Sequence, residues 1–387
     1  MKYIEEFRDA ELAQGLSAAI KAEADPERTY RFMEFCGGHT HALARYGVED
    51  LLPGNVRMIH GPGCPVCVLP VGKVDEAVAL ATQEDVILCT YADLMRVPGT
   101  KYESLIKARS KGADVRMVYS TMDALNIAQE NPDREVVFFA IGFETTTPPT
   151  AVAIKQAQAM GLKNFSVYCN HVLTPAAMRA ILGAHTPRED GGGAPNVILD
   201  GFVGPAHVSA VIGTQPYEEF TEDYKKPVVI AGFEPLDVMQ SILQLIRQTN
   251  EDRSQVENEY ARAVTPSGNV KAQDLVAEVF ELRDEFSWRG LGSVPLSALQ
   301  IREEFAQFDA EKRFSVDVPE PKENKLCECG AILRGEKTPM DCTLFGTSCT
   351  PDNPMGACMV SSEGACAAHW TYGRFRSEAE AELEAAV

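Results

Sequence analysis

The sequence predicts an α/β protein built on parallel sheets, followed by a small cysteine-rich module at the C-terminal end. Short apolar runs alternate with helical patterns from about residue 30 to residue 261, as repeated strand–helix–strand units require. Many of these runs are apolar along their whole length, which is typical of parallel strands covered on both faces. Six of the 11 cysteines lie beyond residue 325, in a stretch with few long apolar runs.

The predicted strands are short apolar runs, most of them bounded by turn residues or by a helical pattern. They include Tyr30–Phe35, Val56–Ile59, Val86–Cys89, Val115–Tyr119, Val136–Ile141, Ser166–Asn170, Asn196–Asp200 and Val228–Ala231. The predicted helices between them include Val74–Gln83, Ser104–Lys111, Ala151–Met160 and Pro175–Ala184. The pattern is mostly helical from Ser254 to about Arg313. Val316–Lys325 is typical of a linker, and Ser377–Ala386 predicts a helical tail.

The charge balance argues against two classes of partner. The chain carries 36 Lys and Arg against 56 Asp and Glu, a formal net charge of −20. No Lys/Arg cluster supplies a basic face, so we expect binding neither to nucleic acid nor to an anionic membrane surface. The N-terminal segment is charged and has no apolar signal core, which predicts a cytoplasmic protein.

In a cytoplasmic chain, clustered cysteines bind metal or do redox work more often than they form structural disulfides. Cys89 and Cys169 each stand alone in an apolar strand, which predicts small buried hydrophobic residues. The C-terminal set is Cys327, Cys329, Cys342, Cys349, Cys358 and Cys366. An iron–sulfur cluster needs about four thiolates. The competing structural zinc site usually shows two close cysteine pairs, and here only Cys327 and Cys329 are close, which favours the cluster.

Two further cysteine motifs follow predicted strands. Gly61-Pro-Gly-Cys64-Pro-Val-Cys67 can close a reversible disulfide or chelate a metal. In Cys36-Gly-Gly-His39-Thr-His41, a cysteine near a helix N-terminus has a favoured thiolate form. His39 and His41 could bind metal, orient the thiolate or shuttle protons, and a structural hydrogen bond fits each of them equally well.

Glu144 and Glu234 end two strands with the same Gly-Phe-Glu sequence. They could be functional carboxylates or merely solvent-facing residues at strand ends. The carboxyl ends of parallel strands are where ligand sites form in open α/β sheets, and both cysteine motifs also fall there.

Several motifs together resemble the signature segments of the HypD family. They are Cys36-Gly-Gly-His-Thr-His41, Gly61-Pro-Gly-Cys-Pro-Val-Cys67, Gly142-Phe-Glu-Thr-Thr-Thr-Pro148, Cys342-Thr-Leu-Phe-Gly-Thr-Ser-Cys349 and Gly356-Ala-Cys-Met-Val-Ser-Ser-Glu-Gly-Ala-Cys366. The resemblance runs from near residue 30 to near residue 375. It implies two Rossmann-like α/β domains and a third domain with a 4Fe–4S cluster. We place these domains at residues 1–130, 131–255 and 256–387, the last beginning with a helical connection.

The resemblance also implies a function in the maturation of NiFe-hydrogenases. HypD proteins and the small chaperone HypC hold an iron that receives a carbonyl and cyanide ligands, the latter delivered from HypE. The finished Fe(CN)2CO unit passes to the hydrogenase large subunit. By the same resemblance, Cys36 ligates this iron, with Cys64 and Cys67 as a thiol pair beside it. We expect the protein to be a monomer when alone.

The resemblance assigns the C-terminal cysteines to two roles. The expected 4Fe–4S ligands are Cys327, Cys342, Cys349 and Cys366. Cys329 and Cys358 would form an adjacent redox pair, and we hypothesise that electrons move from the cluster through this pair toward Cys64 and Cys67. The main alternative is a cluster-dependent thiol–disulfide oxidoreductase that acts on a protein substrate. A zinc-stabilised binding scaffold is a second one.

Overall fold

The computed structural model describes residues 5–184, 198–318 and 320–373. Its strands, numbered β1 to β11, are Tyr30–Glu34, Val56–His60, Val86–Thr90, Asp114–Met117, Glu135–Gly142, Phe165–His171, Gly201–Pro205, Val228–Ala231, Val256–Asn258, Phe280–Trp288 and Gly292–Ile301. Its helices, numbered α1 to α15, are Ala10–Glu23, Gly37–Tyr46, Pro65–Val68, Val71–Ala81, Leu105–Ser110, Thr121–Glu130, Thr147–Met160, Thr174–Ala184, Ala206–Ile212, Glu218–Glu222, Pro235–Asn250, Val270–Val279, Ala310–Arg313, Cys329–Leu333 and Ala365–Ala368.

Two parallel sheets confirm the predicted α/β class. The first sheet has the strand order β2-β1-β7-β8-β9 and the second has the order β4-β3-β5-β6. Every pairing in both sheets is parallel. The strand β6 is buried at all seven positions, and β5 at all but its first. Burial on both faces explains why these strands are apolar without alternation.

The two sheets are nested along the chain. Strands β1 and β2 of the first sheet precede the second sheet, and β7, β8 and β9 follow it. The boundary expected at residue 130 therefore falls inside the second sheet, because β4 and β5 lie on either side of it and both pair with β3. Sequence patterns locate strands, but they carry no local signal for the pairing of strands that are far apart in the chain.

The helical connection expected after Ser254 contains a long antiparallel hairpin, which corrects that prediction. Strands β10 and β11 pair over nearly their full length, with a bulge between Arg283 and Glu285. Gly290 and Gly292 in the connecting turn have φ values of 83° and 75°, which glycine adopts easily. The Glu, Arg and Leu residues of β10 are good helix formers, so local propensity pointed to a helix. Packing of the hairpin against β6 and α8 outweighs that propensity.

In the described part of the chain, buried apolar side chains form three groups. One lies between the first sheet and helices α1 and α11, and a second lies between the second sheet, α7 and the hairpin. The third and largest joins both sheets to the C-terminal segment, and it includes Phe202 of β7, Phe139 of β5 and Cys358. Cys89 and Cys169 are buried in β3 and β6, as predicted.

No helix in the part of the chain that the structure describes is long and apolar enough to cross a membrane. The predicted tail helix Ser377–Ala386 lies outside the described residues. Asn196 and Val197 also lie outside them. The strand predicted at Asn196–Asp200 is observed instead from Gly201 to Pro205.

Candidate functional site

Cys36 lies just beyond the carboxyl end of β1, where it is the N-cap residue of α2. Its backbone is extended, with φ −151° and ψ 128°, and its side chain makes no capping hydrogen bond. The Cys36 N–H donates to the Glu34 carboxylate at 2.9 Å. His60 Nδ1 lies 3.0 Å from the other oxygen of the same carboxylate, which is fully buried. Glu34 therefore fixes the turn that presents Cys36, a role that no sequence pattern signalled.

Burial raises the pKa of the Cys36 thiol to about 12, and the Glu363 carboxylate adds to the rise. The backbone N–H groups of Gly38 and His39, at the start of α2, act in the opposite direction. The expectation of a favoured thiolate counted only this helix-end effect. In the folded protein, loss of water around the sulfur outweighs it.

Cys64 and Cys67 form a disulfide across the single turn of α3. Gly63 brings this motif against Cys36, because a Cβ atom on Gly63 would lie only 2.4 Å from the Cys36 backbone nitrogen. The Gly37 N–H also donates to the Gly63 carbonyl at 3.3 Å. The structure thus brings the two motifs into direct backbone contact, as the order of β1 and β2 in the sheet allows.

The two histidines of the first motif face different partners. His39 is fully buried, and its Nε2 lies 3.0 Å from the carbonyl oxygens of both Ala231 and Gly232. Because both neighbours are acceptors, Nε2 carries the hydrogen and ties α2 to the end of β8. This geometry favours the structural role for His39. His41 Nε2 lies 3.4 Å from the Tyr372 hydroxyl, in the C-terminal segment.

Glu144 and Glu234, the two glutamates at strand ends, have different surroundings. Glu144 is buried and accepts hydrogen bonds from the Thr174 N–H at 2.8 Å and the Thr174 hydroxyl at 2.9 Å. Burial raises the pKa of the Glu144 carboxyl to about 7. Glu234 instead forms an ion pair with Arg8. Glu144 is therefore not a solvent-facing strand end, and it borders an apolar cavity between α9, α12 and the hairpin.

All six C-terminal cysteines line one small cavity, whose remaining lining is mostly apolar. Cys329 Sγ lies 2.6 Å from Cys358 Sγ, and Cys349 Sγ accepts the Met355 N–H at 3.3 Å. A Cβ atom on Gly356 would lie 2.4 Å from Cys327 Sγ, so only glycine leaves room for that sulfur. Three of the cysteines come from α14, a short 3-10 turn and α15, and the other three come from the segments between these elements or next to them.

Among residues 5–184, 198–318 and 320–373, no group of three or more His, Cys, Asp and Glu side chains could hold a metal ion as it stands. The six sulfurs surround a cavity and do not meet at one point. Thiols around a mostly apolar space suit an iron–sulfur cluster, which is larger than one ion and prefers soft sulfur ligands.

The C-terminal segment packs directly against the Cys36 motif and against the disulfide motif of Cys64 and Cys67. Helix α3, which follows Cys64 and contains Cys67, contacts the turn Ala357–Met359 that carries Cys358. Helix α15 contacts α2, and a Cβ atom on Gly37 would lie 2.3 Å from the Glu363 Cβ atom. One apolar core therefore contains the disulfide and the cysteine-lined cavity.

The first parallel sheet presents a cysteine and a disulfide at its strand ends, and the C-terminal segment adds a cavity lined by cysteines. These features define an α/β protein whose candidate site is built from cysteines. The family model HypD, described as "Hydrogenase formation hypA family", matches residues 11–373. Hydrogenase maturation factor HypD2 of Bradyrhizobium diazoefficiens is 65% identical over 376 residues, covering 97% of this chain and 98% of the relative. Hydrogenase maturation factor HypD of Escherichia coli is 44% identical over 384 residues, covering 98% and 100%. The chain therefore belongs to the HypD family of hydrogenase maturation factors.

Proposed function

We propose that the protein is the scaffold on which the Fe(CN)2CO unit of NiFe-hydrogenase is assembled. It would act with a HypC-like chaperone, take cyanide from a HypE-like donor and supply electrons through its thiols. The finished unit would reach the hydrogenase large subunit through the chaperone. Membership of a hydrogenase maturation family supports a role in hydrogenase maturation. The contact between Cys36 and the disulfide motif supports the more specific role in assembling the Fe(CN)2CO unit.

The backbone contact between Gly63 and Cys36 is the observation that carries this proposal. It sets a single half-buried cysteine beside a redox-capable pair, Cys64 and Cys67. Iron held at Cys36 as cargo would bind the thiolate, so binding would remove the proton that burial otherwise retains on the sulfur. One thiolate from this protein and one from the chaperone would leave the cargo releasable, unlike a closed cage of four protein ligands.

The resident cofactor is proposed to be a 4Fe–4S cluster held by Cys327, Cys342, Cys349 and Cys366. When bound it would supply one-electron transfer at low potential. Cys329 and Cys358 remain as the adjacent pair, and their 2.6 Å sulfur separation supports that division.

The thiols themselves can pass electrons by exchange. A Cys358 thiolate would attack the Cys64–Cys67 disulfide and form a mixed disulfide, releasing one thiolate. Cys329 would then attack the mixed disulfide, which leaves Cys64 and Cys67 as thiols and Cys329–Cys358 as the new disulfide. Two electrons and two protons move in total. The packing of α3 on the Cys358 turn supports this route.

The test is an infrared spectrum of the complete protein purified without oxygen together with its small chaperone. We expect cyanide and carbonyl stretches in the wild type and none in Cys36→Ala. Cys89→Ala is the matched control, because it removes a buried cysteine of β3 that has no place in the proposed site. A blank wild-type spectrum from an intact, cluster-bearing complex would instead favour the thiol–disulfide oxidoreductase.

A further inference from the structure

A cationic cleft opens beside the cysteine-lined cavity. We define it by Lys101, Arg289, Lys322, Asn324, Cys327 and Cys329. Three positive side chains in one cleft stand out on a chain whose net charge is −20. Among the described residues that line it, the only carboxylate belongs to the exposed Glu323. Such a concentration of positive charge attracts anions to the cleft.

Hydrogen bonds to Asp75 hold the loop that carries Lys101 in place. The Thr100 N–H and hydroxyl donate to the two Asp75 carboxylate oxygens at 2.8 Å and 2.6 Å. The Lys322 N–H in turn donates to the Thr100 hydroxyl oxygen at 3.2 Å, so both lysines rest on one anchored turn. Lys101 and Tyr102 have φ values of 57° and 60°, a strained conformation for residues with side chains. Strain of this kind concentrates at ligand sites.

Arg289 supplies the buried part of the charge. Its side chain is only 6% exposed, and its Nε donates to the Leu69 carbonyl at 3.0 Å. Its Nη1 lies 3.9 Å from Glu323. Its Nη2 is enclosed and has no hydrogen-bond partner within the described part of the chain. The buried guanidinium therefore keeps a positive charge beside the cleft, which adds to its attraction for an anion.

Cys327 and Cys329 line both the cleft and the inner cavity, so they form the wall between them. Cys329 Sγ is also the atom that lies 2.6 Å from Cys358 Sγ. A sulfur-containing anion in the cleft would therefore have its negative group near the lysines and its sulfur near a reactive pair.

We propose that the cationic cleft binds a small anionic thiol, or its disulfide, that exchanges electrons with the Cys329 and Cys358 pair. The inference rests on the proposed redox role of this pair and adds its external electron partner. An anionic disulfide RSSR accepts attack by the Cys329 thiolate, which releases one thiol RSH and forms a mixed disulfide. Cys358 then displaces the second RSH and closes the Cys329–Cys358 disulfide. The protein loses two electrons and RSSR gains them, and the reverse reaction reduces the pair.

The experiment follows oxidation of Cys329 in the complete protein, starting from the reduced state, by alkylation and peptide mass spectrometry. Three matched probes differ only in charge: bis(2-sulfonatoethyl) disulfide, bis(2-hydroxyethyl) disulfide and cystamine. In Lys101→Gln/Lys322→Gln we expect the rate with the anionic probe to fall about tenfold relative to wild type. The neutral probe should react equally with both proteins. Added salt should reduce the wild-type preference for the anion.

The matched control is Lys163→Gln/Lys271→Gln, which removes two exposed lysines elsewhere and should leave all three rates unchanged. A wild-type protein that shows no preference for the anionic probe would overturn the proposal. So would equal rates in wild type and Lys101→Gln/Lys322→Gln, or no reaction at Cys329 with any probe. The infrared bands that test Cys36 are measured separately, so failure of this proposal can be told apart from failure of the assembly function.

Discussion

At the scale of single residues, the contact between Cys36 and the disulfide motif depends on glycine at position 63. Gly63 lies against the Cys36 backbone so closely that a Cβ atom would fall 2.5 Å from the Cys36 Cα atom. Both contacting partners are backbone, which cannot rotate away as a flexible side chain can. Position 63 therefore requires glycine for its size.

We expect Gly63→Ala to separate the two motifs. Relief of the clash would push the Cys64 turn away from Cys36 and destabilise the protein by about 2 kcal/mol. The cyanide and carbonyl bands of the chaperone complex should weaken strongly or vanish. Urea unfolding measures the first effect and infrared spectroscopy the second.

Gly54→Ala is the control for this variant, because a Cβ atom at Gly54 would meet nothing within 4 Å. It should change neither stability nor the bands to a comparable extent. Full retention of both in Gly63→Ala would contradict the close packing of the two motifs.

A second residue-scale prediction concerns pH. The pKa of Glu144 is raised by burial from 4.5 to about 7, so the folded protein keeps a proton that the unfolded chain releases between these values. The free energy of unfolding therefore falls as pH rises through this window, by about 3 kcal/mol for this group. Glu144→Gln should remove that part of the pH dependence. Urea titrations at pH 5 and pH 8 measure the difference between wild type and variant.

Exposed Glu222→Gln provides the control, since it removes a carboxylate that water surrounds. Its unfolding free energy should follow that of the wild type across the same pH range. If Glu144→Gln also followed the wild type, burial of Glu144 would not govern the stability of the protein in this window.

At the scale of elements, the sequence predicted many of the strands because burial on both faces leaves short runs that are apolar along their whole length. Val136–Ile141 and Ser166–Asn170 fall within the observed β5 and β6. The hairpin was missed because its stability comes from contacts with β6 and α8, which a local pattern cannot contain. Glu34 and Arg289 were missed because their burial also depends on distant contacts. In the sequence alone, a buried charged residue cannot be told from a charged residue at the surface.

One side-chain hydrogen bond within the hairpin can be tested by substitution. Ser297, fully buried in β11, accepts the Trp288 Nε1–H at 2.8 Å. Ser297→Ala would leave this donor buried without its partner, and we expect a loss of about 1–3 kcal/mol in urea unfolding.

Ser293→Ala on the exposed side of the same strand loses only a surface contact with Glu285, and it should stay close to the wild type. Equal stability of Ser297→Ala and Ser293→Ala would show that the Trp288 bond contributes nothing measurable to the hairpin.

At the scale of the whole molecule, the disulfide of Cys64 and Cys67 shares one core with the C-terminal cysteines, and Cys36 contacts the disulfide motif through its backbone. Their motifs were visible in the sequence, but their contact follows from the order of strands in the sheets and from packing of the C-terminal segment. The cluster ligands and the redox pair stay predictions, because the cavity is lined by all six C-terminal cysteines.

The proposed electron transfer from Cys329 and Cys358 to the Cys64–Cys67 disulfide can be tested. If the proposed exchange operates, Cys329→Ser should stop at the mixed disulfide with Cys358, because no second thiol can resolve it. Cys64 and Cys67 should then not both become free thiols after reduction of the complex. The infrared bands should then form several-fold more slowly. Alkylation of Cys64 and Cys67, followed by mass spectrometry, measures the first effect.

Cys89→Ala again serves as the comparison, because that cysteine lies in a strand core. Iron loaded at the normal rate in Cys329→Ser would rule out this route for the electrons.

The nesting of the two sheets bears on how the protein is made. The four strands of the second sheet are complete once residue 171 has been synthesised, whereas the first sheet lacks its last strand until residue 258. Ribosomes add roughly 5–20 residues each second. Cys36 is therefore synthesised many seconds before β7 can pair with β1 beside it. During that interval the thiol lacks the shelter of the completed sheet, so the nascent chain exposes it to oxidants and stray metal ions more than the folded protein does.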